Sequence, residues 1–346
     1  MKSRGYAALA AKADLVSHEF ERRELGEHDV ALDIAFAGIC HSDIHQVAEE
    51  WGPAIFPMVP GHEIAGVVTA VGVKVSKFAV GDKIGVGVFV DSCRKCDSCV
   101  KGLQQYCVEG MTGTYNGYER DGVTVAMGGY SNNFVINEDY AVRIPENLPM
   151  DGVAPLLCAG ITLYSPIKHW NVQSGMKVAV MGLGGLGHMG VKFAVAMGAE
   201  VTVLSHSPSK KADAIAMGAH HFVSTNDAEN LIPLAKSFDL ILNTVSAELV
   251  INDYLNLLKL DGTLVVIGLP GKPYEVHAGT LLNGRRSISG SMIGGIPEMQ
   301  EMLDFCSKHS IVSDVEVIKA DYINQAYKRT VASDVKYRFV IDASTF

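Results

Sequence analysis

The run KVAV, followed at once by MGLGGLGHMG, sets a strand, a glycine loop and a helix back to back, and few folds accommodate that succession. Gly182, Gly184 and Gly187 stand in G-x-G-x-x-G, with Gly185 and Leu186 completing the loop. The first glycine permits a tight turn, the second lets the backbone approach a pyrophosphate, and the third lets helix pack on strand. The helix N-terminus then faces the phosphates. Such a motif is weak alone, and its context decides. Here apolar runs at Val178 to Met181, Val201 to Leu204, Phe222 to Val223, Leu240 to Val245 and Leu264 to Ile267 alternate with helical stretches. The alternation predicts a parallel sheet covered by helices on both faces, beginning near residue 149.

The preceding third reads differently. Val30, Leu32, Ile34 and Phe36 repeat with period two, and further runs follow at Ala65 to Val71, Lys83 to Val90 and Phe134 to Ile144. Half-buried strands in an irregular, mostly antiparallel sheet or barrel are expected. Beyond about residue 293 an amphipathic helix, a second helix and a last strand, Tyr337 to Ile341, complete the chain. In the first of these helices Met299, Met302, Leu303 and Cys306 share one face behind Pro297, so Cys306 reads as a packing residue. His220 and His221 lack cysteine neighbours and read as surface or loop groups. At 346 residues the chain is longer than one core usually supports, which predicts two domains.

A net charge of −9 gives little attraction to polyanions, so nucleic acid is not an expected partner. The longest central uncharged run, Val178 to Val191, has fourteen residues and five glycines, short of the ~20 a membrane helix needs. The first residues lack a sustained apolar stretch and reach Lys12 and Asp14 early, unlike a signal peptide. A cytoplasmic protein without membrane association is the expectation. Seven cysteines, four of them clustered, suit metal ligation in a reducing compartment better than a disulfide framework.

Those four, Cys93, Cys96, Cys99 and Cys107, follow C-x2-C-x2-C-x7-C. Four thiolates so close enclose one tetrahedral Zn²⁺ with no open position, a structural site. The bacterial iron–sulfur spacing ends C-x3-C-P, whereas here the last gap is seven and Val108 follows. A nucleic-acid zinc knuckle is disfavoured by the acidic balance and the absence of a basic and aromatic stripe.

A second, dispersed set begins with GICHSDIH, Gly38 to His45, and PGHEIAG, Pro60 to Gly66, each beside a predicted strand. Cys40 and His62 are placed at neighbouring strand ends, and Cys158 in LLCAG offers a third donor. Two thiolates and one imidazole leave Zn²⁺ an exchangeable fourth position, the arrangement of a Lewis acid. Four thiolates outweigh the metal's charge and make a poor electrophile, whereas two merely neutralise it. Asp43 and Glu63 are carboxylates suited to orienting the imidazole and tuning the metal. Ser42 and His45 supply a hydroxyl and a titratable ring nearby, a path for a proton.

An NAD site would place Asp or Glu about 20 residues beyond the glycine loop, on the ribose hydroxyls. This chain reads LSHSPSKK there, with Ser205, Ser207 and Lys210 where the strand Val201 to Leu204 ends. Small hydroxyls and a lysine receive a 2′-phosphate, which favours NADP(H).

Taken in order, CHSDIH, GHEIAG, the four-cysteine segment, LLCAGIT and GLGGLG resemble the zinc-dependent medium-chain alcohol dehydrogenases across essentially the whole chain. The branch most similar is the cinnamyl-alcohol-dehydrogenase-like NADPH aldehyde reductases. The resemblance implies an α/β protein: a GroES-like, mainly-β catalytic domain at 1–148, with a structural zinc lobe at about 91–110, and a Rossmann NADP-binding domain at 149–293. Residues 294–346 return to the catalytic domain, and the active site lies in the cleft between the two. Position by position, Cys40, His62 and Cys158 match the catalytic zinc ligands, and Glu63 matches the carboxylate that approaches the metal when water leaves. Ser42 matches the hydroxyl that passes the alcohol proton toward the cofactor ribose and His45. Thr162 resembles the residue near the nicotinamide and Arg338 the arginine reaching the pyrophosphate, while Gln46 and Trp51 lie on the segment lining the substrate pocket. Two Zn²⁺ per chain, NADP(H), a small aldehyde or alcohol substrate and a homodimer are implied.

The expected reaction is reversible reduction of aldehydes, aromatic or aliphatic, to primary alcohols. An NADP-linked polyol or secondary-alcohol dehydrogenase is the alternative within enzymes. A non-catalytic cofactor-binding sensor is the alternative outside them, and an intact open metal site argues against it.

Overall fold

The computed structural model describes residues 1–346 and divides into two compact units, Met1–Ile161 with Gly294–Phe346, and Thr162–Ile293. No single helix is long and apolar enough to cross a membrane.

The second unit is built on six parallel strands, Lys177–Met181, Glu200–Ser205, His221–Ser224, Phe238–Asn243, Leu258–Val266 and Ser287–Gly290. Numbered along the chain, they lie in the order 3-2-1-4-5-6. That order reverses between Lys177–Met181 and Phe238–Asn243, and ligands of such sheets sit beyond the strand ends at the reversal. Central strands read as unbroken apolar runs because both faces are covered: Val178, Ala179 and Val180 are fully buried, as are Ile241 and Leu242. The sixth strand, Ser287–Gly290, was not expected from the sequence. Its SISG run is short and half-exposed at the sheet edge, so no apolar run announces it.

In the first unit seven strands form one sheet in which all pairs are antiparallel except Val315–Ile318 with Arg338–Asp342. Asp29–Gly38 is its spine, pairing with Ile64–Val71, Asn133–Asn137 and Arg338–Asp342. Two expected continuous runs are interrupted. Lys83 to Val90 breaks at Gly87, where an added Cβ would lie 2.6 Å from Met299. Phe134 to Ile144 breaks at a single turn, Glu138–Tyr140, started by the Asn137 side chain accepting from the Asp139 N–H. The helix Ile296–His309 buries Met299, Met302, Leu303 and Cys306, as its period predicts. His220 Nδ1 accepts from the Val201 N–H and His221 faces Glu200, and neither belongs to a group of metal-ligating side chains.

Candidate active site

The short helix His41–Val47 starts directly after Asp29–Gly38, and Asp43 fixes its first turn by accepting from the Cys40 N–H at 2.9 Å. His62 and Glu63 lie just before Ile64–Val71, the strand antiparallel to the spine, so the pairing brings Cys40 and His62 to the same end of the sheet. Cys158 closes the set from the turn after Ala154–Leu157. The donor atoms of Cys40, His62, Glu63 and Cys158 all lie within 4.8 Å of one another, and all four residues are buried.

Whether these atoms suit a metal is answered by their geometry. Sulfurs bound to one tetrahedral Zn²⁺ at about 2.3 Å stand about 3.8 Å apart. Cys40 Sγ and Cys158 Sγ are 3.9 Å apart. His62 Nδ1 lies 3.0 Å from Asp43 Oδ1, and because a carboxylate only accepts, Nδ1 carries a proton and Nε2 is the nitrogen left to meet a metal. That Nε2 is buried without a hydrogen-bond partner, and so is Glu63 Oε2. Buried polar atoms are seldom left so, and a cation satisfies both. The donors fit a zinc ion held by two thiolates and an imidazole.

Electrostatics agree. Cys40 is held well below the usual thiol value by the hydrogen bond from Cys158, against the effect of burial. That same bond, with burial, pushes Cys158 well up, so the two sulfurs share one proton. Burial opposes charge on His62, yet Asp43 and the Cys40 sulfur outweigh it and raise the imidazole well above the usual histidine range. A cation arriving here therefore displaces protons. Burial pushes the Glu63 carboxyl up to about 8, against the pull of Arg338.

Ser42 Oγ lies 3.5 Å from Cys40 Sγ. His45 Nδ1 lies 2.5 Å from Glu50 Oε2, and its ring stacks on Trp51 at 4.9 Å. Gln46 Oε1 accepts from Asn116 Nδ2 at 2.5 Å. Arg338, assigned to a pyrophosphate on resemblance, is buried with its Nη2 donating to Glu63 Oε1 and to the Ile39 carbonyl. The tyrosines Tyr115, stacked over the His62 ring at 5.9 Å, and Tyr130, bonded to Asp43, were not singled out from the sequence. Neither lies near a ligand in the chain, so no local signal marks them.

The four-cysteine segment also converges, with all four sulfurs within 4.8 Å of one another and Cys93 and Cys99 3.8 Å apart. Backbone N–H groups of Cys93 and Cys96 donate to Cys107 Sγ and Cys93 Sγ, each at 3.4 Å, which suits thiolates. None of the seven cysteines forms a disulfide.

In the second unit Gly182 adopts φ +84°, and a Cβ at Gly187 would stand 2.0 Å from the Gly182 carbonyl oxygen. A Cβ at Gly184 would meet nothing within 4 Å, leaving the backbone open to a phosphate. Lys210 Nζ donates to the Leu183 carbonyl at 2.8 Å, and Ser205 Oγ accepts from the Ser207 N–H at 3.2 Å. Thr162 Oγ1 is buried without a partner. This loop fits a dinucleotide.

Two family models match, the alcohol dehydrogenase GroES-like domain over residues 26–146 and the zinc-binding dehydrogenase over residues 185–308. The chain belongs to the zinc-dependent medium-chain alcohol dehydrogenases. Its fold is the α/β architecture of that family, a GroES-like domain with a Rossmann sheet. It is 60% identical to NADP-dependent alcohol dehydrogenase C 1 of Mycolicibacterium smegmatis over 341 residues, covering 98% of this chain and 97% of that one. It is 51% identical to aldehyde reductase YahK of Escherichia coli, covering 100% and 99%. A cinnamyl alcohol dehydrogenase of Sorghum bicolor superposes with a TM-score of 0.96 at 45% identity, covering 99% and 98%. This alcohol dehydrogenase is thus an enzyme of the oxidoreductase class.

Proposed function

We propose that this alcohol dehydrogenase reduces aldehydes to primary alcohols with NADPH, reversibly: RCHO + NADPH + H⁺ ⇌ RCH2OH + NADP⁺. The observation that carries this reading is the convergence of Cys40 Sγ, His62 Nε2 and Cys158 Sγ, three donors that leave Zn²⁺ a position for the carbonyl oxygen. When bound, the zinc polarises the carbonyl and the nicotinamide supplies the hydride.

The chain's own residues do the rest. Ser42 donates a proton to the product oxygen and recovers one by way of His45, whose ring is held by Glu50. Glu63, bonded to Arg338, keeps a carboxyl oxygen beside the donors and is suited to approach the metal while ligands exchange, giving up its proton as the cation arrives. Gln46 and Trp51 line the substrate side, and Thr162 the nicotinamide. Ser205, Ser207 and Lys210 take the ribose 2′-phosphate, because no carboxylate stands at that strand end to repel it. The relatives named as an NADP-dependent alcohol dehydrogenase and an aldehyde reductase support both cofactor and reaction.

The domain borders of this reading are 1–148, 149–293 and 294–346. The enzyme is read as a cytoplasmic homodimer, supported by cysteines that form no disulfide and by the open edge strand Ser287–Gly290. Light scattering would return twice 37.1 kDa for the dimer. The deciding experiment follows nicotinamide absorbance with aromatic and aliphatic aldehydes, before and after a chelator, alongside metal analysis. Two zinc ions per chain and chelator-sensitive NADPH oxidation are expected. Full activity in protein lacking metal at the Cys40, His62 and Cys158 donors would overturn the reading.

A further inference from the structure

Behind His62 lies a carboxylate that carries more than the one bond needed to orient an imidazole. Asp43 is fully buried. Its Oδ1 faces His62 Nδ1 at 3.0 Å and accepts from the Gly61 N–H at 3.1 Å; its Oδ2 accepts from the Cys40 N–H at 2.9 Å and from the Tyr130 hydroxyl at 3.0 Å. Three of these partners belong to the segments that carry Cys40 and His62. The fourth is 87 residues from Asp43 in the chain.

Tyr130 is itself held firmly. It is fully buried, its N–H donates to the Pro60 carbonyl at 2.9 Å, and its carbonyl accepts from the Tyr6 N–H at 2.9 Å. The ring lies so near Gly61 that a Cβ there would stand 2.5 Å from it. Arg22 clamps the surrounding segment by donating to the carbonyls of Met127 and Gly128 and to the Ser131 hydroxyl, each at 2.7 Å, and to the Asn133 carbonyl at 2.9 Å. The hydroxyl is therefore a fixed point against which Asp43 rests.

We propose that Tyr130 is a positioning residue for the metal: its hydroxyl locks the Asp43 carboxylate in the rotation that presents Oδ1 to His62 Nδ1, and so aims His62 Nε2 at the donor cluster. The inference rests on the reading of Cys40, His62 and Cys158 as the metal ligands. Without the hydroxyl, Oδ2 loses its 3.0 Å bond, the carboxylate is less firmly held against rotation, and the bond to Nδ1 weakens. Tyr115 stacks on the imidazole face and restrains tilt, and its own hydroxyl also meets Asp43, a lesser hold that remains when the Tyr130 hydroxyl is removed.

The test is Tyr130→Phe in the zinc-loaded enzyme, with metal release followed by a chromogenic chelator. Cys40→Ser identifies the kinetic phase belonging to the His62 site, because that variant lacks it. In Tyr130→Phe this phase is expected to quicken about threefold to tenfold, below the 10–100-fold reached when a group bonded directly to a ligand is lost. Release from the four-cysteine lobe stays unchanged, and the ligand-field bands of the cobalt-loaded enzyme shift. Tyr254→Phe, which removes a tyrosine hydroxyl from the other unit, changes neither. Equal release in wild type and Tyr130→Phe, even with a lowered melting temperature, overturns the positioning role and leaves the ligand assignment standing. A Cys40→Ser enzyme that keeps both phases overturns the ligand assignment, and the role with it. Should Tyr130→Phe not fold, 3-fluorotyrosine at position 130 decides, since it keeps the hydroxyl as a stronger donor: slower release supports the role, and unchanged or faster release overturns it.

Discussion

Ser42 carries a hydroxyl, which can donate one proton while accepting another, and its Oγ stands 3.5 Å from Cys40 Sγ at the start of a helix. Ser42→Ala should lower turnover about a hundredfold, the usual scale of general acid–base contributions, while metal content stays at the wild-type value. Steady-state kinetics beside metal analysis checks both parts. Outside this centre, Glu138 is buried, and its Oε2 accepts from the N–H groups of Ser76 and Lys77, each at 2.8 Å. Burial would raise this carboxyl, but the N–H groups outweigh it and hold the pKa below the usual glutamate value. A carboxylate with a depressed folded pKa stabilises the fold above its unfolded pKa, and that stability is lost as pH falls through the folded value. Glu138→Gln should therefore cost about 1.5–3 kcal/mol near pH 7, and the difference should shrink below about pH 4. Urea melts of both proteins along that range would show it; a gap independent of pH would rule out the charge.

At the scale of elements, the glycine loop joins Lys177–Met181 to Gly187–Ala196 by backbone fit alone. Gly187→Ala pushes a methyl into the Gly182 carbonyl, so the loop must open. A loss of about 1–3 kcal/mol and NADPH binding weaker by about tenfold or more are expected from calorimetry and titration. At the end of the next strand Ser205 is buried next to its own loop. Ser205→Asp should reverse the coenzyme preference toward NADH, because a carboxylate there repels a 2′-phosphate and accepts from ribose hydroxyls. An unchanged NADPH-to-NADH ratio of kcat/KM would mean that the ribose binds elsewhere. Strands with long apolar runs were legible in the sequence; short strands such as Ser287–Gly290 and Val315–Ile318 were not, because edge position leaves them half-exposed and without a period.

For the molecule as a whole, the two proposed metal sites should answer differently to loss of a donor. The four-cysteine lobe closes its own small segment, with sulfurs met by backbone N–H groups, so an ion held there would support structure. Cys99→Ser should lower the melting temperature by several degrees and weaken assembly, while the molecules that remain folded keep near-normal kcat. Cys158→Ser should do the reverse, abolishing turnover with a smaller thermal shift. Differential scanning calorimetry paired with kinetics separates the two.

What the residues alone determined is whatever depends on short spacing: the glycine loop, the C-x2-C-x2-C-x7-C lobe, Cys40 with Ser42 and His45, and His62 with Glu63. These groups lie within a turn or two of one another, so local geometry fixes them before any tertiary contact forms. Tertiary structure alone decided what meets across the chain. It set Cys158 3.9 Å from Cys40, turned Arg338 onto Glu63, and brought Tyr130 to Asp43. Only Arg338 of these lies in a strand; the others stand on loops and helix ends that the sheet carries, so their meeting depends on how distant segments pack, and no local pattern records the partner.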